Sequence, residues 1–322
     1  MKRSFFLPLP VPFPFKKKMP SVITIGESLL EIIFLNNQPS IAIPGGSVLN
    51  TAVSLGRSGI KTCFSGVVGK DLAGDYIDDF LKDNGIDTRY FKLQHNRQTP
   101  ASLAFTRPDS TYYQFYRCNA PHIEDYFLPE TKEDDILLIG SWFAVNPENA
   151  PLLLPYLRHS ANKGTLIYYD LNFRKNHLKD LAGSISNILE IIQLADIIKV
   201  SEEDLENVFG SEDIHTLYDK LCPDTEKFFI KTSGAKAVIV KSNDFSFEVA
   251  VPPIIPISTI GAGDSFNAGL LHYLIHEKLH RKELAGLAKT DWHQIITRGI
   301  RFSQEVCNSK ENYIPVDFRC DD

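Results

Sequence analysis

After about residue 20 the chain alternates between short apolar runs and longer segments whose apolar residues recur every three or four positions. The short runs predict strands, and the longer segments predict helices. We expect strands at 21–27, 135–142, 166–173, 196–200, 227–232 and 237–241, and helices at 47–58, 147–162, 183–194, from about 264, and at 295–307. Strands separated by helices are typical of a doubly wound, mainly parallel α/β sheet, which binds ligands beyond the carboxyl ends of its strands.

A second pattern interrupts this alternation. Residues 99–117 alternate apolar and polar side chains around a turn at 108–110, which predicts a β-hairpin. Another extended excursion spans residues 31–43. An ordinary hairpin within the main sheet is one interpretation of the segment 99–117.

The run 257–269 is the first candidate for chemistry. It places Gly261, Ala262 and Gly263 after an extended, proline-rich segment and before a helical apolar pattern. Backbone N–H groups at such a helix N-terminus form an anion site, and small residues let the anion approach closely. A carboxylate in the first turn, Asp264, makes sense beside a phosphate if it accepts a proton from an attacking alcohol. The alternative is a glycine-rich helix start whose aspartate only complements the helix dipole.

Two motifs resemble those of the ribokinase-like (PfkB-type) carbohydrate kinases. The run GAGDSFNAG at 261–269 resembles the C-terminal motif of that family, and Gly45-Gly46 followed by Asn50 resembles its N-terminal motif. The resemblance extends from residue 21 to about residue 314. It implies that Asp264 is the catalytic base and that the amides at 261–263 form the anion hole.

The same resemblance implies how a sugar is held. The family uses an acid after the first strand, the glycine pair and the asparagine for this purpose. The corresponding residues here are Glu31, Gly45, Gly46 and Asn50. The run 170–174 is similar to the Asp-x-Asn-x-Arg run of fructokinase-like and 2-keto-3-deoxygluconate kinase-like members, which implies that Arg174 contacts sugar or phosphate oxygens. A surface ion pair is the alternative for this arginine.

The resemblance also implies a MgATP site. Ser201 and Asp204 occupy the place of the family's Asn-x-x-Glu, so Asp204 is expected to position Mg²⁺ through water. Thr232 and Gly234 resemble the Thr-x-Gly loop beside the ATP phosphates, and the region that includes Asn308 closes over adenine in the family. The alternative for the run 201–204 is an acidic helix start that complements the helix dipole.

Composition narrows the choice of partners and compartment. The chain has 322 residues and a net charge of −6, and it lacks a basic stripe with interleaved aromatic residues, so nucleic acid is not an expected partner. Five cysteines without a C-x-x-C pair favour a reducing, cytoplasmic location. No run of about 18 apolar residues is present, so a membrane span is not expected. Ser258 stands where many family members have a cation-binding aspartate, which argues against K⁺ activation.

The N-terminal residues 1–18 imitate a signal peptide only in part, because prolines break the apolar stretch and no cleavage site follows. We interpret 1–18 as a disordered or mis-assigned extension and 19–322 as a single ribokinase-like domain. The resemblance implies that segments at about 30–44 and 98–118 form a small β-sheet lid over the sugar. The aromatic residues of the lid and Cys118 suggest a homodimer formed through it.

A histidine stripe, His272, His276 and His280, has the spacing of one helix face. Such a stripe could bind a transition metal. We instead expect it on the solvated side of the helix that begins at Asp264.

These features predict an ATP-dependent sugar kinase that uses Mg²⁺ and phosphorylates a primary hydroxyl. Fructose is the preferred acceptor, because Glu27 and the run 170–174 resemble fructokinase-like members. Ribose, 2-keto-3-deoxygluconate, another ketose and a nucleoside stay open, as does a non-catalytic sugar-binding or regulatory relative. A nicotinamide-dependent enzyme would need G-x-G-x-x-G after the first strand, and a P-loop kinase would need G-x-x-x-x-G-K-[ST]; the sequence has neither.

Overall fold

The computed structural model describes residues 21–107, 110–116, 122–210, 213–223 and 225–320. Its strands are β1 (Val22–Ile25), β2 (Leu29–Leu35), β3 (Gln38–Gly45), β4 (Thr62–Gly69), β5 (Ile86–Asp87), β6 (Phe91–Gln94), β7 (Ala101–Arg107), β8 (Ser110–Tyr116), β9 (Ile136–Gly140), β10 (Leu166–Asp170), β11 (Ile197–Ser201), β12 (Phe228–Thr232), β13 (Ala237–Lys241) and β14 (Ser246–Ala250). Its α-helices are α1 (Ser47–Arg57), α2 (Leu72–Asp83), α3 (Ser141–Val145), α4 (Ala150–Asn162), α5 (Leu181–Leu194), α6 (Glu202–Phe209), α7 (Ile214–Leu221), α8 (Ala262–His276), α9 (Arg281–Leu284) and α10 (Lys289–Cys307).

The larger sheet has the strand order β14-β13-β12-β11-β10-β9-β1-β4-β5, with β6 also paired to β4. All pairs from β12 to β5 are parallel, and only β13 and β14 are antiparallel additions at one edge. Helices cover both faces, which is why strands such as β9 and β10 are buried along their whole length. The predicted doubly wound, mainly parallel α/β fold is confirmed.

The core consists of two apolar layers, one on each face of the large sheet. One layer contains Leu49 of α1, Leu271 of α8 and Trp292 of α10. The other contains Leu153 of α4 and Ile188 of α5. Each helix therefore buries one apolar stripe against the sheet, as the helical spacing of its apolar residues predicts.

A separate four-stranded sheet has the order β3-β2-β7-β8. Strands β7 and β8 form the antiparallel hairpin that the alternation predicts, but β7 pairs in parallel with β2 rather than with the large sheet. An ordinary hairpin within the main sheet is therefore the wrong interpretation. The extension 1–18, two residues of the predicted turn (Pro108 and Asp109) and Cys118 lie outside the described residues.

The prediction that the histidine stripe lies on the solvated side of the helix is confirmed for His276, which is exposed, but is wrong for His272 and His280. Helix α8 ends at His276, so His280 does not lie on it, and His272 is buried with its Nδ1 atom 3.2 Å from Nη1 of Arg298 on α10. The helix has little polar face because α1 and α10 both pack against it. No group of three metal-ligating side chains occurs among the residues that the structure describes.

None of the helices in the described part of the chain combines the length and apolar character that a membrane span needs.

The contact between α8 and α10 depends on glycine, and substitution of Gly269 tests it. A Cβ atom at Gly269 would lie 2.6 Å from the carbonyl oxygen of Arg298 and 2.7 Å from Cα of Gly299. Because backbone atoms cannot move aside cheaply, we expect Gly269→Ala to lower the free energy of unfolding by about 1–3 kcal/mol in urea denaturation. Gly183→Ala in α5 is the matched control, because a Cβ there meets only Cγ of Pro147 at 3.6 Å. Equal stability of the two variants would contradict the packing argument.

Candidate active site

The N-terminus of α8 begins with a left-handed residue. Gly261 caps the helix with φ +77°, and a Cβ atom at this position would lie 2.1 Å from the carbonyl oxygen of Asn312. A side chain is therefore excluded both by backbone conformation and by space. The C-terminal segment around Asn312 thus packs directly on the start of the helix.

Three backbone N–H groups at this helix start are available to an anion. Within the described residues, the N–H groups of Gly261, Gly263 and Asp264 donate to no protein acceptor. The N–H of Ala262 instead donates to the carbonyl oxygen of Thr259 at 3.3 Å, which closes a turn. The unpaired donors and the helix dipole give this end of α8 a positive potential. The geometry therefore favours Gly261, Gly263 and Asp264 over Ala262 as donors to an anion.

The carboxylate of Asp264 is fixed by the first turn of α1. Its Oδ1 accepts from the Ser47 hydroxyl at 2.6 Å, and its Oδ2 accepts from the Asn50 amide at 2.8 Å. The Thr51 hydroxyl donates to the Asp264 carbonyl oxygen at 2.9 Å. The two motifs therefore meet at one carboxylate, although Asn50 and Asp264 lie 214 residues apart in sequence. Ser47 and Thr51 were not predicted as site residues.

Burial raises the pKa of Asp264, while the hydrogen bonds from Ser47 and Asn50 oppose this shift. The Asp264 side chain is only 7% exposed yet lines an open pocket. A carboxylate with a raised pKa is a stronger base than an exposed aspartate. The arrangement is suited to accepting a proton beside a bound anion.

The glycine pair lets three segments approach one another closely. Gly46 caps α1 with φ +125°, and a Cβ atom there would lie 2.4 Å from the carbonyl oxygen of Glu27. A Cβ at Gly45 would lie 3.0 Å from Cβ of Glu31. Larger residues would push the start of α1, which carries Asn50, away from β2.

Glu31 lies at the junction of the two sheets with a 5% exposed side chain. Its Oε1 accepts from the Ser102 hydroxyl at 3.1 Å, and its Oε2 accepts from the Asn312 amide. Burial raises the pKa of Glu31, and these two hydrogen bonds oppose that shift. The acid expected to hold a sugar thus borders the pocket but is already anchored by two protein donors.

The pocket lies between the small sheet and the carboxyl ends of the large sheet's strands. It is lined by Glu27, Leu29, Glu31, Gly46, Ser47, Val48, Asn50, Tyr113, Phe115, Gly140, Ser141, Trp142, Asn172, Arg174, His177, Ile260, Gly261 and Asp264. The structure therefore brings together the predicted base and most of the predicted sugar-binding residues. It adds an aromatic wall that the sequence motifs did not indicate, in which Trp142 and His177 stack with ring centroids 4.1 Å apart.

The guanidinium of Arg174 lies at the rim of the pocket, 5.5 Å from the centroid of the Tyr113 ring. In the described part of the chain it forms no ion pair, so the surface ion-pair alternative does not apply there. Two other lining residues, Ser141 and Asn172, have positive φ values of 55° and 39° and are joined by a 2.9 Å hydrogen bond. Left-handed non-glycine residues of this kind cluster at functional sites.

The predicted nucleotide residues lie apart from this pocket. Ser201 and Thr232 are neighbours in the parallel pairing of β11 with β12, at the carboxyl ends of both strands. Gly234 follows with φ +57° in open space, and Asn308 ends α10. None of the four lines the pocket. They instead border the same edge of the sheet as the start of α8.

Asp204 is buried and fully engaged by protein donors. Its Oδ2 accepts from the backbone N–H and the hydroxyl of Ser201, both at 2.7 Å, and its Oδ1 accepts from the Phe173 N–H at 2.6 Å. The Ser201 hydroxyl in turn accepts from the Asp204 N–H, so the pair forms a capping box at α6. Burial raises the pKa of Asp204, and Lys199 opposes this shift. These contacts match the helix-start alternative, so a direct metal ligand is not formed here.

Behind Asp264 lies a polar network that the sequence motifs did not indicate. Lys199 on β11 pairs with Oδ1 of Asp170 at 3.1 Å. Oδ2 of Asp170 accepts from the Asn267 amide at 2.6 Å, and the Tyr168 hydroxyl donates to Oδ1 of Asn267 at 2.9 Å. All four side chains are buried. The network ties the ends of β10 and β11 to the first turns of α8.

Comparison with known proteins finds sugar kinases of similar sequence and fold. A probable fructokinase-7 of Arabidopsis thaliana is 27% identical over 271 residues, which cover 79% of this chain and 78% of that protein. The structure of a Vibrio cholerae fructokinase with fructose, ADP and a calcium ion superposes with a TM-score of 0.78 at 22% identity, covering 91% of this chain and 94% of that one. The aminoimidazole riboside kinase of Salmonella enterica, bound to aminoimidazole riboside and an ATP analogue, gives 0.78 at 20% identity, covering 92% and 97%.

A model of the pfkB family carbohydrate kinases matches residues 38–317, which include both glycine motifs and Asp264. The match spans most of the chain, and the structural neighbours share its two-sheet fold. This protein therefore belongs to the pfkB family of carbohydrate kinases and is a sugar phosphotransferase.

Proposed function

We propose that the protein transfers the γ-phosphoryl group of MgATP to a primary hydroxyl of a small sugar, with fructose as the first choice. The observation that carries the proposal is Asp264, a buried carboxylate that lines the pocket at a helix start with unpaired N–H groups. The fructokinases among the relatives support the choice of fructose. The alternatives are ribose, 2-keto-3-deoxygluconate and a nucleoside.

The reaction follows from the positions of these groups. The sugar hydroxyl gives its proton to Asp264 as its oxygen forms a bond to the γ-phosphorus, and the bond from that phosphorus to the β–γ bridging oxygen breaks, which releases ADP. The N–H groups at 263 and 264 stabilise the negative charge on the transferring group. No covalent intermediate with the protein is required.

The sugar is held by the residues at the small-sheet side of the pocket. Asn50 and Glu31 present polar atoms there. Oδ1 of Asn50 is buried and has no hydrogen-bond partner among the described residues, which suits it to accept from a sugar hydroxyl. Arg174 reaches the pocket from its rim with five donors. Gly45 and Gly46 keep the floor of the pocket free of side chains.

The nucleotide follows the edge formed by β11 and β12. Thr232, Gly234 and Ser201 border the phosphates in this proposal, and Asn308 lies on the adenine side. Magnesium arrives with ATP as part of the substrate, and Asp204 acts on it only through water, since the oxygens of Asp204 already accept from the protein. We do not expect K⁺ activation, because position 258 offers a serine hydroxyl instead of a carboxylate.

We also propose that residues 19–322 form one kinase domain in which the small sheet acts as a lid and as the contact of a homodimer. Aromatic pairs on this sheet, such as Phe34 and Phe105 with ring centroids 4.6 Å apart, offer apolar surface for such a contact. A cytoplasmic location is consistent with Cys63, Cys222 and Cys307, which are free thiols.

The proposal is tested by ADP release with MgATP and a panel of acceptors: fructose, ribose, 2-keto-3-deoxygluconate, tagatose, glucose, adenosine and fructose 6-phosphate. We expect one strong acceptor, fructose, with no dependence on K⁺. Stronger turnover of another sugar would replace fructose while keeping the mechanism. ATP binding without turnover of any acceptor would favour the non-catalytic alternative.

A further inference from the structure

Lys199 lies directly behind the anion site. A Cβ atom built on Gly263 would lie 3.3 Å from the Lys199 ammonium nitrogen, which is its one contact within 4 Å in the described residues outside the neighbouring backbone of α8. Gly263 is one of the three residues at this helix start whose N–H groups have no acceptor among the described residues. The positive charge of Lys199 therefore lies against the backbone that would hold the transferring phosphoryl group.

The lysine is held in this place by a chain of buried contacts. Its side chain is 6% exposed, and its ammonium pairs with Oδ1 of Asp170 at 3.1 Å. The other oxygen of Asp170 accepts from Asn267, which follows Asp264 by three residues on α8. Asn267, which holds Asp170 and through it Lys199, therefore lies about one helical turn from Asp264 on the same helix. Lys199 does not line the pocket, so it cannot be a direct ligand of the sugar.

Carboxylates, counting Asp264 itself, outnumber positive charges at this site, so the Lys199 ammonium can stabilise negative charge there. The charged groups that act on Asp264 are Asp170 from β10, Arg174 from the segment after β10, Glu31 from β2 and Lys199 itself. Together with Asp264 this makes five groups, of which Asp170, Glu31 and Asp264 are carboxylates. Bound ATP adds further negative charge. Burying an ammonium has a large desolvation cost, and an apolar side chain would fill the same space more favourably. A lysine at this place is therefore explained better by chemistry than by packing.

We propose that Lys199 is a positioning residue whose positive charge, held by Asp170 behind Gly263, acts through the helix start to stabilise the transferring phosphoryl group and the ionised form of Asp264. This inference rests on the proposed phosphoryl transfer. The lysine keeps its protons throughout, and no bond to it forms or breaks. Its effect is electrostatic and acts across a water-poor region, where charges interact strongly.

The test compares Lys199→Met with Lys227→Met. Lys227 is also buried, and it lies at the other end of the sheet, where its ammonium donates to the carbonyl oxygens of Gln193 and Ala195. We expect Lys199→Met to lower kcat about 10- to 100-fold while KM for the sugar changes less than about threefold. Lys227→Met controls for the loss of a buried lysine and should leave both kinetic constants within about twofold of the original, whatever its stability.

The pH profile separates an electrostatic role from a structural one. Asp264 must be ionised to act as base, so kcat falls as pH drops through its pKa. Loss of a nearby positive charge raises that pKa further, so the acid limb of the kcat profile should move to higher pH in Lys199→Met. An unmoved limb, or a kcat within about twofold of the original, would overturn the inference.

A binding measurement covers the case in which Lys199→Met does not fold. Lys199→Gln keeps a hydrogen-bond donor toward Asp170 but no charge. We expect it to bind MgADP normally and to bind MgADP with aluminium fluoride, an anionic mimic of the transferring group, at least about tenfold more weakly. Equal loss of both affinities would overturn the inference. If the unsubstituted protein phosphorylates no acceptor, the proposed function fails, and this inference fails with it. If the unsubstituted protein is active and the Lys199 variants are equally active, only the inference about Lys199 is overturned.

Discussion

Replacement of Asp264 by asparagine is expected to lower kcat by about 10²–10⁴-fold with little effect on MgATP affinity. Asparagine has the same shape and can still contact Ser47, but its amide cannot accept a proton from the sugar hydroxyl. ADP release with the preferred sugar measures the loss, and calorimetric titration measures nucleotide binding. The acid limb of the kcat profile should also disappear, because the group that burial shifts to a raised pKa is no longer present.

Asp75→Asn is the matched control for this substitution. Asp75 also lies in the first turn of a helix, α2, but its side chain is 45% exposed and does not line the pocket. We expect its turnover within about twofold of the original, as for other surface substitutions. Near-normal turnover of the Asp264 variant would remove this residue as the base, and loss of folding would show as a lower melting temperature.

Replacement of Gly261 by alanine is expected to lower kcat by about 10²–10³-fold, the usual effect of losing one donor to a transition-state anion. The new Cβ would lie 2.1 Å from the Asn312 carbonyl oxygen, so either the helix start or the segment around Asn312 must move. Movement of the helix start displaces the N–H of Gly263 and the carboxylate of Asp264 together. The free energy of unfolding should also fall by about 1–3 kcal/mol through backbone strain and overcrowding.

Gly59→Ala is the matched control, because it separates the effect of backbone strain at positive φ from the effect of moving the start of α8. Gly59 has φ +83°, similar to that of Gly261, but a Cβ there meets no atom within 4 Å. The control should therefore lose some stability through its positive φ while kcat stays within about twofold. Equal kinetic effects of the two substitutions would contradict the role assigned to the helix start.

Much of the fold could be predicted from periodicity, because burial on both faces of a parallel strand requires an unbroken apolar run. Strand β13 has the predicted bounds, and helix α1 ends one residue before the predicted end. Helix α10 begins at Lys289 rather than at 295, because its first turn is polar and is capped by Asp291, which accepts from the Ala288 N–H. Strand β14 was not predicted, since it is an edge strand with alternate residues exposed.

The histidines on α8 illustrate why local pattern fails inside a crowded core. Spacing alone assigns His272 to a solvated face, but α10 packs over that face and buries it. Likewise, the acidic run at 201–204 has the composition of a metal site, whereas the backbone of β11 directs Asp204 into a capping box. For His272 a helix that is distant in sequence decided the outcome. For Asp204 the capping box with Ser201 is local, and the distant Phe173 N–H donates to its other carboxylate oxygen.

The sequence by itself determined the glycine-rich helix start, the candidate base at position 264 and the doubly wound α/β fold. These features depend on local backbone conformation and on the pattern of buried residues, and both follow from the order of neighbouring residues in the chain. Only the tertiary structure decided that Ser47 and Asn50 hold the Asp264 carboxylate, that Asn312 packs on Gly261, and that Lys199 lies behind Gly263. These contacts join residues from different strands and helices, and their energies depend on distances and burial that exist only after the sheet has brought those elements together.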